Sequence, residues 1–425
     1  MKNLIKFDEM PKLNLHNLLI FLIVLLPPAL ISGPAIPDII ISIIGIIFIY
    51  ISFQKKLTYF YTNPYSIFFF FFYFILLISS SLSEMPKVSL IDRESVFYFR
   101  FFIFSLAVCY ISQIYKEIFK YLAISLFITI LIITVDGSVE YFRGISLFGV
   151  KSGESRLLSL FIDEPIVGRY ISSATMLCVA LLIHYYGYTN NKIIVFIFSV
   201  LALGEVFTFM SGERAAFGMI ASYSIAGFIL INQRRLERFI FIILSVILIG
   251  TLLISEPRSQ NRYQQTVTEL TEKNFPFILS SPIHEMHYKS AILMFKDNPW
   301  FGIGSNLFRH MCDREQYKIS DRSCTTHPHH YYIQILSENG IVGLTFILIF
   351  LLFLSFSLIK HFLGLIIKND NWKIDDQNLL FYIFLFSMIC PIWPSGSFYH
   401  NWTNIPFFIG LGFFLKFFIV AKKII

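Results

Sequence analysis

The sequence predicts an all-α polytopic membrane protein, and three observations lead there. Of 425 residues, 56% are hydrophobic and only 14% charged, with a mean hydropathy of +0.68. Apolar runs of about 20 residues, the length a helix needs to cross a bilayer core, recur from end to end. Lys and Arg gather in alternate connections between those runs, as they do in loops on the positive-inside face. A soluble chain of this size could not bury so many long apolar runs. The net charge of +7 sits mostly in short loops, so it is no signal for nucleic acid. The 49 Phe carry no functional weight of their own.

Taken in order, about twelve transmembrane helices are predicted. They lie near 15–33, 36–53, 64–82, 95–113, 117–135, 167–186, 192–210, 213–231, 238–255, 340–360, 378–394 and 402–421. Helices are required because backbone groups cannot stay unpaired in lipid. Lys2 and Lys6 before the first run imitate a secretory signal, but the run is long and broken by Pro27 and Pro28. It reads as a retained span. Orientation follows from Lys2, Lys6 and Lys12, Lys55 and Lys56, Lys116 and Lys120, Lys192, Arg234 and Arg235, Lys360 and Lys368, and Lys422 and Lys423. All fall at the termini or in even-numbered connections, which places both termini in the cytoplasm. Two long connections, 136–166 and 256–339, then face outside. The chain divides into N-terminal spans over 1–255, an outer loop over 256–339 and C-terminal spans over 340–425. Within the loop, residues from Pro282 to Phe295 can form an amphipathic helix with Ile283, Met286, Tyr288, Ile292, Leu293 and Phe295 on its apolar side, suited to a membrane surface. Pro299, Gly302 and Gly304 then force a turn.

The chemistry concentrates at the end of that loop. Three of the 10 histidines, His327, His329 and His330, fall within four positions just before an apolar run. Histidine exchanges protons near neutrality, so the cluster is a candidate acid–base site. The plainer reading is an interfacial set, like the neighbouring Tyr331 and Tyr332. A zinc site at Cys324, His327, His329 and His330 fits no standard ligand spacing. Cys312 and Cys324 share the outer loop and can pair in an oxidising compartment, worth about 3 kcal/mol in the chain-entropy model. Ser211-Gly212-Glu213-Arg214 forms a tight outer turn that puts Arg214 at the membrane edge. Arg214 either snorkels to headgroups or clamps an anionic headgroup with its planar fork, with Glu213 orienting it. Arg100 and Glu205, inside spans, each need a partner or a cavity. Arg169, Lys289, Arg258, Arg262 and Arg309 read first as solvated surface charges. There is no phosphate loop, HExxH, Walker motif or DxD-like pair, which argues against nucleotide-driven chemistry.

With these pieces in place the chain resembles the O-antigen ligase and O-antigen polymerase superfamily, multi-pass glycosyltransferases that use polyprenyl-diphosphate-linked glycans. The resemblance rests on His327-Pro328-His329-His330 followed by Gln334-Ile335-Leu336-Ser337-Glu338-Asn339-Gly340-Ile341-Val342-Gly343-Leu344. Asn298-Pro299-Trp300-Phe301-Gly302-Ile303-Gly304 looks like the family's Pro-x-x-Gly-x-Gly stretch, and Ser211-Gly212-Glu213-Arg214 like its arginine turn. His330 departs from the Asn usual at its place, and Lys289 stands near a place where relatives often have Arg.

The resemblance implies a multi-pass protein of the bacterial inner membrane with its site facing the periplasm. It implies a polyprenyl-diphosphate-linked glycan as donor, held by Arg214 with Lys289 and Arg169, and His329 as general base assisted by His327. Glu213 and His330 would support, and no metal or other cofactor is implied. The acceptor would be a lipid A-core sugar for a ligase, or a second lipid-linked glycan for a polymerase. A protein O-glycosyltransferase is a further variant. A transporter or flippase would instead set ionisable groups at the bilayer midplane, a pattern that only Arg100 and Glu205 hint at.

Overall fold

The computed structural model describes residues 14–92, 95–151, 153, 155–162, 164–271 and 279–419. Lys2, Lys6, Lys12, Lys422 and Lys423, which bear on orientation, and Asp163 of the first long connection lie outside the described residues. The helices are α1 (Leu15–Ala29), α2 (Ala35–Gln54), α3 (Tyr59–Thr62), α4 (Pro64–Leu82), α5 (Phe99–Ile114), α6 (Ile118–Arg143), α7 (Val167–Tyr186) and α8 (Asn191–Met210). They continue as α9 (Arg214–Leu230), α10 (Arg235–Ser255), α11 (Pro257–Thr271), α12 (Pro282–Asp297), α13 (Phe308–Met311), α14 (Tyr331–Ile366), α15 (Asp376–Ile389) and α16 (Asn401–Leu415). No β-strand occurs among the described residues.

Among the described residues, nine helices are long and apolar enough to cross a membrane. The shorter α9, α15 and α16 fall on the remaining predicted spans. The protein is therefore an all-α polytopic membrane protein. Local sequence sets the ends: the Asn63 side chain accepts from the Tyr65 and Ser66 amides to start α4, and Asn190 does the same for α8. Gly144, left-handed at φ 75°, ends α6. That end lies beyond the predicted one, because the apolar pattern stops near 135 while the helix runs on to Arg143.

Packing separates two kinds of apolar helix. α7 is buried along nearly its whole length, against α6, α8, α9 and α15, and α5 is held between α2 and α16. α10 buries only Arg238 and Ser245 and turns its Leu, Ile and Phe side chains outward. A helix apolar all round but uncovered by protein suits lipid, not water. The two in-span charges have partners at hand. Arg100 pairs with Asp38 at 3.0 Å, and Glu205 accepts a hydrogen bond from Ser224.

The 256–339 connection is not a free strand between spans. α12 exists as predicted but packs against α14 and buries Tyr288, Ala291 and Met294, whereas Ile283 is exposed. α14 is bent at Gly340, whose φ of 67° and ψ of −169° leave the helical region. The bend frees backbone groups on both sides, and the 299–304 turn takes them. Ile303 and Gly304 donate to the Ser337 and Glu338 carbonyls at 3.0 and 2.9 Å; Ile341 and Val342 donate to Pro299 and Trp300 at 2.9 and 3.3 Å. Only glycine permits so close an approach, since a Cβ on Gly340 would lie 2.2 Å from the Trp300 carbonyl oxygen.

Gly340→Ala should therefore lower stability by about 1–3 kcal/mol from the positive φ alone, with the clash in addition. Gly250→Ala in α10, where an added Cβ meets nothing within 4 Å, should be neutral or stabilise by about 0.5–1 kcal/mol. Thermal unfolding of both variants in detergent checks this. Equal midpoints would refute the role given to the bend.

Candidate functional site

At the end of the bundle where the odd-numbered connections meet, the structure encloses a cavity of about 390 Å³. Five separate segments supply its arginines, and three of them are bound to one another. Asp136 and Glu140 near the end of α6 accept backbone hydrogen bonds from Leu147, Leu158 and Ser159, which folds the 144–161 loop back on the bundle. Leu157 then donates to the Ser211 carbonyl at 3.1 Å, bringing Arg156 beside the Ser211–Arg214 turn. Gly212 makes this possible: φ is +76°, and a Cβ there would lie 2.1 Å from the Ser155 carbonyl oxygen. From α11, Arg262 donates through Nε to the Gly212 carbonyl at 2.9 Å. Arg156, Arg169, Arg214, Arg262 and Arg309 all line the cavity.

The cations are only partly compensated. Arg214 pairs with Glu269 of α11. Glu213 does not orient Arg214, as read from the sequence. It is committed to α7, accepting from the Gly168 and Arg169 amides at 2.6 and 3.3 Å as a carboxylate on a helix N-terminus should. The Arg262 Nη2 is buried with no hydrogen-bond partner among the described residues. Burial, and then the neighbouring Arg214 and Arg156, push Arg262 down to about 10. Crowded guanidiniums with an unused buried donor are the electrostatics of an anion site.

The opposite chemistry comes from histidines. His284, His327, His329 and His400 line the same cavity as Arg214. The His329 ring lies 4.2 Å from His327, 4.8 Å from His284 and 5.4 Å from His287, centroid to centroid. Its backbone is left-handed at φ 57°, held by the Ser395 amide, which donates to the His329 carbonyl at 2.9 Å. A strained conformation fixed this way sits at functional positions more often than elsewhere. Cys312 and Cys324 are disulfide-bonded, with Cα atoms 4.9 Å apart, and so tie the segment before the histidines to α13. Cys324 thus offers no thiolate to a metal. Among the described residues no three His, Cys, Asp or Glu are placed to hold one.

Two residues named from the sequence lie elsewhere. Lys289 is exposed and does not line the cavity, because five residues along a helix from His284 turn it about 140° away. His330 is buried and donates through Nε2 to the Pro391 carbonyl at 3.0 Å, so it anchors the loop. Conversely, Arg262 and Arg309 are not solvated surface charges but cavity walls. Arg156, His284, His287 and His400 were not singled out at all. His284, His287 and Tyr288 share one face of α12 by their spacing, a signal present in the sequence. Arg156 and His400 carry none.

Burial leaves these imidazoles neutral near pH 7. It pushes His329 down to about 4, with His287 and Arg156 adding to the effect, and His284 down to about 2, with His329 and His287 adding. His400 falls to about 4 through burial and Arg309. A neutral His329 can accept a proton.

Fold and site together describe a multi-span membrane protein with a cation-lined, histidine-bearing cavity at one end of its bundle. Residues 197–348 match the family model described as O-Antigen ligase, which bears out over that stretch the resemblance drawn from the motifs. The match supports ligase or polymerase function of this family in a bacterial membrane, on lipid-linked glycans. No curated protein matches the chain.

The histidines give a signed pH effect. The unfolded chain takes up protons near 6.5, whereas folded His329 and His400 wait until about 4. Their stabilising contribution is complete above about 6.5 and is lost as pH falls toward 4. The unfolding temperature in detergent should drop through that window, and less steeply in His400→Gln. A flat profile would contradict the lowered values.

Proposed function

We propose that this protein is an O-antigen ligase-like glycosyltransferase. It moves a glycan from a polyprenyl-diphosphate donor to a lipid A-core sugar at the periplasmic face of the inner membrane. One observation carries the reading: Arg156, Arg169, Arg214 and Arg262 converge with His327 and His329 on a single cavity. That cavity continues, through shared Arg214 and Arg262, into an apolar groove of about 430 Å³ between α9 and α11. A diphosphate fits the arginine wall, and the first isoprene units fit the groove.

The chemistry follows from the placement. The acceptor hydroxyl gives its proton to His329 as its oxygen bonds to the anomeric carbon from the side away from the diphosphate. The bond from that carbon to the diphosphate oxygen breaks, and its electron pair leaves with the diphosphate, so the configuration inverts. The arginines stabilise the charge growing on the leaving oxygen, where fixed donors in a dry site are most effective. His327, held through Nδ1 by the Thr326 hydroxyl at 2.9 Å, orients the acceptor.

The test is transfer by the purified protein in detergent and EDTA, using a polyprenyl-diphosphate oligosaccharide from the source organism. Lipid A-core is added to one tube and omitted from the other. A ligase gives product only with lipid A-core, whereas longer lipid-linked chains without it make the protein a polymerase. His329→Asn, which keeps the left-handed backbone, should lower kcat by about 10²–10⁴-fold, the usual worth of a general base. Arg214→Ala should raise the donor KM by about tenfold or more, and Arg214→Lys should recover part of it. Full activity in His329→Asn would remove the base assignment.

A further inference from the structure

Beside the cation-lined cavity lies a second one that the mechanism above leaves unused. It has a volume of about 290 Å³, just under the range for small-molecule sites, about 300–1,000 Å³. His400 lines both cavities. The second is walled by Asp38, Asp92, Arg100, Asn306, Tyr399 and Asn401, side chains from five separate parts of the chain, and its surface is mainly polar. It shares no lining residue with the apolar groove at Arg214.

Charge tells what it suits. The Arg100 Nη2 is bound to both Asp38 oxygens, at 3.0 and 3.1 Å, and Asp92 adds a further carboxylate. Such a wall repels a diphosphate. It offers carboxylate and amide oxygens to accept hydroxyl protons, amide N–H groups to donate, and the Tyr399 ring as an apolar neighbour for the C–H side of a sugar. Among the described residues the Asn306 Oδ1 is buried without a hydrogen-bond partner, a costly state that a ligand hydroxyl would relieve. The Asn306 backbone is rigidly set for this, left-handed at φ 58°, with its amide donating to the Glu338 carboxylate at 3.0 Å.

We infer that this cavity is a saccharide subsite and that it receives the acceptor glycan, with His400 at the passage between the subsite and the reacting centre. The inference rests on the proposed transfer at Arg214 and His329. In a displacement at the anomeric carbon the attacking oxygen enters opposite the leaving diphosphate. The donor reaches the central cavity across the Arg214–Arg262 border, so the acceptor comes across the other one, at His400.

The experiment compares wild type with Asp92→Ala and Asn306→Gly in lipid nanodiscs. Glycine tolerates the left-handed backbone at 306, and Asp92 is exposed, so one variant guards against misfolding of the other. The first readout is saturation-transfer NMR with the oligosaccharide released by mild acid from the organism's own glycolipids. The second is the KM for acceptor and for donor, each measured with the other saturating. The expected result is a weakened NMR signal from the bound saccharide and an acceptor KM raised about tenfold, the loss of one or two hydrogen bonds. The donor KM and kcat should stay within about twofold. A rise in donor KM instead assigns the cavity to the donor glycan and overturns the proposal, as does no change in either KM. If wild type forms no product, the proposed function fails but the NMR arm still decides. A saccharide signal seen with wild type and abolished by both substitutions upholds the subsite, and no signal with wild type refutes it.

Discussion

The backbone clasp between residues 299–304 and 337–342 is the interaction on which the cavity end of this protein depends. It pairs main chain with main chain, so its strength does not rest on side-chain choice except at glycine, where any Cβ would part the two segments. From it the remaining order spreads through side chains of the same stretch. The Glu338 carboxylate accepts from the Asn306 and Phe308 amides, each at 3.0 Å, and so sets the start of α13. Gln334 accepts from the Phe398 amide, and Asn339 from the Tyr399 hydroxyl, which fixes the 390–400 connection. That connection in turn holds His329 through Ser395 and carries His400. The Gln334–Gly340 motif thus positions the chemistry without supplying any of it.

A second glycine does the same for charge. Gly212 lets the Ser211–Arg214 turn meet the 155–157 backbone on one side and Arg262 on the other. Guanidiniums that would repel each other in the absence of a ligand are held close by main-chain contacts rather than by their own attraction. The cost appears in Arg262, pushed down by burial and by its cationic neighbours. Strain of this kind, built in by the scaffold, suits a site whose counter-charge arrives with the substrate.

Much of this was legible in the sequence, for physical reasons that differ by element. Spans are visible because a bilayer imposes length and composition on each helix separately, and even α9, α15 and α16 were found where they lie. His327, His329 and Arg214 stood out because ionisable groups at a membrane edge are rare. What escaped depends on tertiary placement. α11 is polar and has no apolar run to announce it, so Arg262 looked like a surface charge. Arg156 enters the cavity only because Asp136 and Glu140, far along α6, fold its loop inward. Lys289 was misplaced for the opposite reason: the family resemblance suggested it, while helix rotation turned it outward. Glu213 sits next to Arg214 in sequence, yet the α7 amides are better placed to receive its carboxylate.

The bend at Gly340 also divides α14 into a first part that starts at the histidine segment and a second, apolar part that belongs to a candidate membrane span. Membrane helices adjust to bilayer thickness by tilting. A rigid helix of 36 residues would pass every such tilt on to the residues at its tip. Here the first part is fastened to the 299–304 turn, and the non-helical residue lies at the junction. The apolar part can therefore follow the thickness of its membrane while His329 keeps its place, a mechanical insulation of the cavity from the solvent that surrounds its scaffold.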